Sequence, residues 1–326
     1  MISSKKMRIR KLRTGTLPFL IGLPLTMLAC GDNSSGDRSP PGENYPGLYP
    51  PGAENNQPPV TGAESPPPSL SPSPEPVAPV ADQAGTECTD GQPGDFTKDG
   101  PYGFASKKSG SYTLYTPRDF GRLGCKTPLV AFAMGTGAPA IGYTQYYLHM
   151  ASWGFTVVVD TSNILFFDGE SLKTAIDTVY ADPEFGPHLA PVAGTMGHSQ
   201  GGAAAINATR NPRVRATVGL MPATLSVGPR EGVAGLYLGG GQDNWGIVTD
   251  PDVSYNFASG PAYSATVPGA DHVIAAVFTE AGNYKAVSTA WFRCHLSGDP
   301  QGCHLFAIPD CSRFPGEWIE CKSKNL

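Results

Sequence analysis

The sequence predicts an α/β fold of three layers, a mostly parallel central sheet with helices on both faces. Three observations lead there. Apolar runs of five to seven residues recur from residue 112 onward, as strands buried on both faces require. Helix-length segments separate these runs, and such alternation implies parallel strands joined by right-handed crossovers. One strand-to-helix junction carries a Gly-x-Ser-x-Gly turn at residues 197–201.

Taken in order, the expected strands are Tyr112–Thr116, Pro128–Met134, Phe155–Asp160, Val192–Met196, Ala216–Leu220, Val233–Leu238 and Tyr263–Val267. Pro117 ends the first, because proline cannot donate to a sheet ladder. The expected helices are Ile141–Ser152, Ser171–Ala181, Gln200–Thr209 and Asn283–His295.

This domain occupies residues 86–326. The first 30 residues are of another kind, with six Lys or Arg, no acid, and an apolar run from Leu17 to Ala29. That run is too short to span a bilayer and reads as the hydrophobic part of a signal peptide. It ends at Met27-Leu28-Ala29-Cys30, which resembles a bacterial lipobox with Met where Leu is usual. Cys30 is then the expected lipidation site, and cleavage by an ordinary signal peptidase is the rival reading. Residues 31–85 hold 14 of the 33 prolines and few residues that could build a core. This composition predicts an extended tether. The expected location is the bacterial cell envelope as a lipoprotein, with a membrane reached through the lipid; full secretion is the alternative.

Charge and cysteine content narrow the function. Beyond residue 30 the chain has 17 basic against 28 acidic residues, a poor surface for nucleic acid. No Gly-X-Y period, no long repeat and no apolar run of 18 residues occurs. Collagen, solenoids and multi-span membrane proteins are excluded. Six cysteines remain beside Cys30, an even number suited to disulfides in an exported chain. Of the 15 pairings that six allow, proximity favours Cys88–Cys125, Cys294–Cys303 and Cys311–Cys321. With no C-x-x-C and no H-E-x-x-H, no metal is expected.

The turn Gly197-His198-Ser199-Gln200-Gly201 carries the chemistry. Alone the motif is weak, but a short apolar strand precedes it and a run of small residues follows. In such an elbow the serine sits on a strained turn at a helix N-terminus, and its neighbours must be small. A serine hydroxyl needs a base to take its proton, and the base needs an acid to orient it. Of the six histidines, His272 follows a strand end through Pro268-Gly269-Ala270-Asp271 and is the expected base. His149 and His188 precede the serine, His198 adjoins it and is aimed away, and His295 and His304 lie among the C-terminal cysteines at the surface. Asp243, at the carboxyl end of Val233–Leu238, is the expected acid, with Asp250 and Asp252 as rivals. The oxyanion needs backbone amides. Those expected are Gln200, after the nucleophile, and Thr136, after Pro128–Met134, with Gly137 as the alternative.

Over roughly residues 95–300 the chain resembles bacterial cutinase-like and polyester hydrolases, the group with poly(ethylene terephthalate)-degrading enzymes. These belong to the α/β-hydrolase superfamily, close to dienelactone hydrolases and chlorophyllases. The resemblance is carried by Ala151 to Thr161 (ASWGFTVVVDT), by Gly197 to Gly202 (GHSQGG), by the order Ser199, Asp243, His272, and by Ala290 to Cys294 (AWFRC). It implies an α/β-hydrolase fold and a monomeric serine esterase without cofactor, acting on a small ester or a polyester surface. The family usually has an aromatic residue where Thr136 stands, Met where Gln200 stands, and often Trp after the proline that here precedes Ala223. Trp245 takes the place of a pocket-lining apolar residue. Trp245, His198 and Ala223 are the expected pocket residues. Two rival functions stay open: a hydrolase of a non-polymeric natural ester or amide, and a non-catalytic binding module.

Overall fold

The computed structural model describes residues 88, 94–161, 167–224, 228–245, 249–273 and 282–326. All of them belong to one compact unit, Glu75–Leu326. The signal peptide, Cys30 and the tether expected at 31–85 lie outside the described residues.

Nine strands form one sheet in the order β1-β2-β4-β3-β5-β6-β7-β8-β9. They are β1 (Ala105–Ser109), β2 (Tyr112–Thr116), β3 (Thr127–Ala133), β4 (Thr156–Asp160), β5 (Leu189–His198), β6 (Val214–Leu220), β7 (Ala234–Gly240), β8 (Ala262–Val267) and β9 (Ile319–Lys324). Strands β4, β3, β5, β6, β7 and β8 run parallel, while β1, β2 and β9 pair antiparallel at the two edges. The described helices are α1 (Thr144–Ser152), α2 (Glu170–Ala181), α3 (Gln200–Asn207), α4 (Pro251–Phe257), α5 (Gly282–Ser297) and α6 (Pro300–Phe306). The fold is α/β with a mostly parallel sheet.

Alternation along the strands builds two cores. Successive residues of a strand point to opposite faces. On β3, Val130 and Phe132 pack with Tyr146 and Met150 of α1 and Trp291 and Phe292 of α5. Leu129, Ala131 and Ala133 pack with Ile176 and Val179 of α2 and Ala204 of α3. Every residue of β3 is buried, which is why the segment reads as an unbroken apolar run.

The seven expected strands and four expected helices are present, with shifted ends. β5 is longer than Val192–Met196, and a 3-10 turn at Ala140–Tyr143 precedes α1. Four elements were not foreseen. β1 (ASKKS) and β9 (IECKSK) are polar edge strands with little apolar signal. α4 and α6 are single short helices, each opened by Asp-Pro with the aspartate as N-cap. That start signal stood in the sequence.

The three disulfides join Cys88 to Cys125, Cys294 to Cys303 and Cys311 to Cys321. These are the pairs that proximity favours, and such bonds suit an exported chain. Among the described residues no helix is long and apolar enough to cross a membrane.

Arg293 of α5 ties distant segments together. Its side chain is 1 % exposed, and Nε donates to Asp299 Oδ2 at 2.8 Å. Nη1 donates to the carbonyl oxygens of Cys88 (2.6 Å) and Trp153 (3.2 Å). A buried charge deprived of its partner is costly, about 3–5 kcal/mol. Arg293→Ala is therefore expected to lower the unfolding free energy by about that amount, measured by urea denaturation without reductant. An unchanged midpoint would refute the role of this ion pair.

Candidate active site

The elbow is built by close approach of backbone to backbone. Ser199 has φ 55° and ψ −123°, a conformation that costs about 1–3 kcal/mol in a residue with a side chain. Hydrogen bonds hold it there. Its N–H donates to Leu220 O at 2.9 Å, and its carbonyl accepts from Gly202 (2.9 Å), Ala203 (3.2 Å) and Ala223 (2.9 Å). A Cβ on Gly197 would lie 2.1 Å from the carbonyl oxygen of Gly201, so strand and helix meet only because both positions are glycine.

Three loops after the carboxyl ends of parallel strands bring the expected triad together. Ser199 follows β5, Asp243 follows β7, and His272 follows β8. His272 Nε2 is 2.9 Å from Ser199 Oγ, and His272 Nδ1 is 2.8 Å from Asp243 Oδ2. The side chains of His272 and Asp243 are buried, 6 % and 7 % exposed. Burial strengthens their interaction by excluding water. Asp243 is itself fixed: Oδ2 also accepts from Thr249 Oγ1 (2.9 Å), and Oδ1 accepts from the Trp245 N–H (3.0 Å).

The rivals are engaged elsewhere. Asp250 caps α4, and Asp252 accepts from Ser264 Oγ and pairs with Lys322 Nζ. The His149 ring is buried in α1, with Nδ1 3.4 Å from Asp99 Oδ1, and His188 lies against Phe120. His295, expected at the surface, instead packs its ring 4.1 Å from Trp291. Burial pushes its pKa down to about 4. His304 is exposed on α6.

A cavity of about 410 Å³ opens over Ser199. Its walls are Gly135, Thr136, Gly137, Ala138 and Pro139 on one side, and Trp245, His272 and Val273 on the other, with His198 also lining it. Among the described residues no Lys, Arg, Asp or Glu lines it, and its volume is at the small end for ligand sites. Trp245 lines the cavity as expected. Its ring stacks on His272 with centroids 5.1 Å apart and planes at 27°. It shields one face of the imidazole while remaining 59 % exposed.

Ala223 is the exception. It was expected in the pocket, but it is buried under the elbow with its N–H on Ser199 O, outside the cavity lining. The tight turn at Met221 (φ 41°) folds the chain back beneath the serine there.

Gln200 is the first residue of α3, so its N–H has no carbonyl within the helix to bond. Thr136 and Gly137 both line the cavity. Gly135 is engaged differently, since its N–H donates to Tyr143 Oη at 2.9 Å. The side chains of the two expected oxyanion residues also meet, with Thr136 Oγ1 donating to Gln200 Oε1 at 2.5 Å. Sequence reasoning missed Tyr143, Thr249 and this Thr136–Gln200 contact. Tyr143 meets His198 across 55 positions of sequence, Thr249 lies six positions beyond Asp243, and no motif announces either.

Among the described residues, no three His, Cys, Asp or Glu side chains converge as a metal site requires. No protein-family model matches this sequence, and no curated protein matches it.

Proposed function

We propose that this chain is an exported serine ester hydrolase on an α/β-hydrolase fold, cutinase-like, with polyesters among its candidate substrates. The observation that carries the reading is the unbroken line Ser199 Oγ, His272 Nε2, His272 Nδ1, Asp243 Oδ2 beneath an open cavity whose described walls carry no charge. Attachment to a membrane through Cys30 belongs to the same proposal and rests on sequence alone.

The chemistry follows from the atoms. Ser199 Oγ attacks the ester carbonyl carbon as its proton passes to His272 Nε2. The imidazolium so formed keeps its Nδ1–H on Asp243, whose carboxylate stabilises the positive charge. Negative charge collects on the carbonyl oxygen, where the amides of Gln200 and Thr136 donate to it. His272 then returns the proton to the leaving alcohol oxygen, and the C–O bond breaks. Water repeats the sequence on the acyl-serine and frees the acid.

The test is a p-nitrophenyl ester series from acetate to palmitate. The small cavity leads us to expect turnover that peaks at short acyl chains and is abolished by fluorophosphonate labelling of Ser199. A folded protein that cleaves no member of the series would refute the esterase reading and favour an amide hydrolase or a binding module.

A further inference from the structure

His198, Tyr143 and Gly135 take no part in the proton transfers, yet they form one hydrogen-bonded line beside them. His198 Nε2 lies 2.8 Å from the carbonyl oxygen of His272. A carbonyl only accepts, so Nε2 carries the hydrogen. Burial pushes the His198 pKa down to about 4, which leaves the ring neutral and Nδ1 an acceptor at neutral pH. Tyr143 Oη, 2.8 Å from Nδ1, therefore donates to it. The phenol keeps that hydrogen, because burial raises its pKa to about 12. The Gly135 N–H donates to the same phenol oxygen at 2.9 Å. Each bond thus has one possible direction.

The line joins three loops that are far apart in sequence. It starts at Gly135, next to the proposed oxyanion donor Thr136. It passes through the residue before Ser199 and ends on the backbone of His272. Its packing is tight as well as polar. A Cβ on Gly135 would lie 2.7 Å from His198 Nδ1, and the His198 and His272 ring centroids are 4.8 Å apart.

We propose that His198 and Tyr143 are positioning residues that hold the oxyanion loop and the His272 loop at a fixed separation. The amide donors and the base then meet the same tetrahedral intermediate. This rests on the reading of Ser199 as the nucleophile. A displacement of about 1 Å at a reacting centre costs on the order of 100-fold in rate. An interaction realised only in the transition state shows in kcat and not in KM.

The experiment is Tyr143→Phe in the full chain. The expected result is a kcat on p-nitrophenyl butyrate lower by about 30- to 100-fold, with KM within about twofold. Phenylboronic acid, which adds to the serine as a tetrahedral anion, is expected to bind more weakly by a similar factor. A purely structural role would lower the melting temperature and leave kcat and boronate binding unchanged, which would overturn the proposal. A ring-nitrogen spectrum of the wild-type protein at pH 7 provides a second reading that needs no variant to fold. His198 should appear as the Nε2–H tautomer, and an Nδ1–H tautomer or an imidazolium would overturn it. A wild type inert to every ester and to fluorophosphonate would sink the esterase reading itself. An active wild type with an unimpaired Tyr143→Phe would sink only this inference.

Discussion

Ser199→Ala is expected to lower ester turnover by about 10⁴- to 10⁶-fold while leaving the fold intact. The variant removes only Oγ, whose hydrogen bond runs to His272 Nε2 at 2.9 Å. Alanine keeps a Cβ, so the strained φ of 55° is no worse than before. The backbone bonds to Leu220, Gly202, Ala203 and Ala223 are untouched. What disappears is the atom proposed to become acylated. The measurement is kcat on p-nitrophenyl butyrate, with a melting curve alongside. Turnover near the wild-type value in a folded variant would refute the nucleophile assignment.

Asp243→Asn is expected to cost about 10³- to 10⁴-fold in kcat, although asparagine has the same shape. The reason lies in what each oxygen accepts. Oδ1 faces the Trp245 N–H, and Oδ2 faces both His272 Nδ1 and Thr249 Oγ1. An asparagine NH₂ at the first position meets a donor with a donor. At the second it forces His272 Nδ1 to accept, which places the ring hydrogen on Nε2. That hydrogen then points at Ser199 Oγ, and the base can no longer take the serine proton. KM should change little, because Asp243 does not line the cavity. A variant with more than a tenth of wild-type kcat would show that Asp243 is not the orienting acid.

Both variants concern residues that could be read from the sequence, and the reason is physical. A parallel sheet buries its strands on both faces, so β3 and β5 to β8 stand out as apolar runs. Loops at the carboxyl ends of such strands are few, which leaves His272 and Asp243 as the residues in the right places. Edge strands gave no such signal. β1 pairs on one side only and exposes three lysine and serine side chains in a row. Contacts made by folding alone were also out of reach. Tyr143 meets His198 across 55 positions, and nothing in either segment marks the other. Ala223 was misplaced for the same reason. The turn after β6 carries its backbone under Ser199, where a family pattern would put a residue in the pocket.

Cys88 and Lys324 both lie at the amino-terminal ends of the parallel strands, far apart across the sheet. Cys88 is bonded to Lys126 and Arg293 beside the starting ends of β3 and β4, and Lys324 is in register with Ala262 at the start of β8. Ser199, Asp243 and His272 lie at the carboxyl ends of these strands, about 20 Å away by strand length. A bead, a fusion partner or a fibre joined at Cys88 or Lys324 would therefore sit on the side away from the proposed catalytic residues, and coated supports would display their cavities outward. The Cys88–Cys125 disulfide and the Arg293 hydrogen bond anchor Cys88 firmly to this end of the sheet.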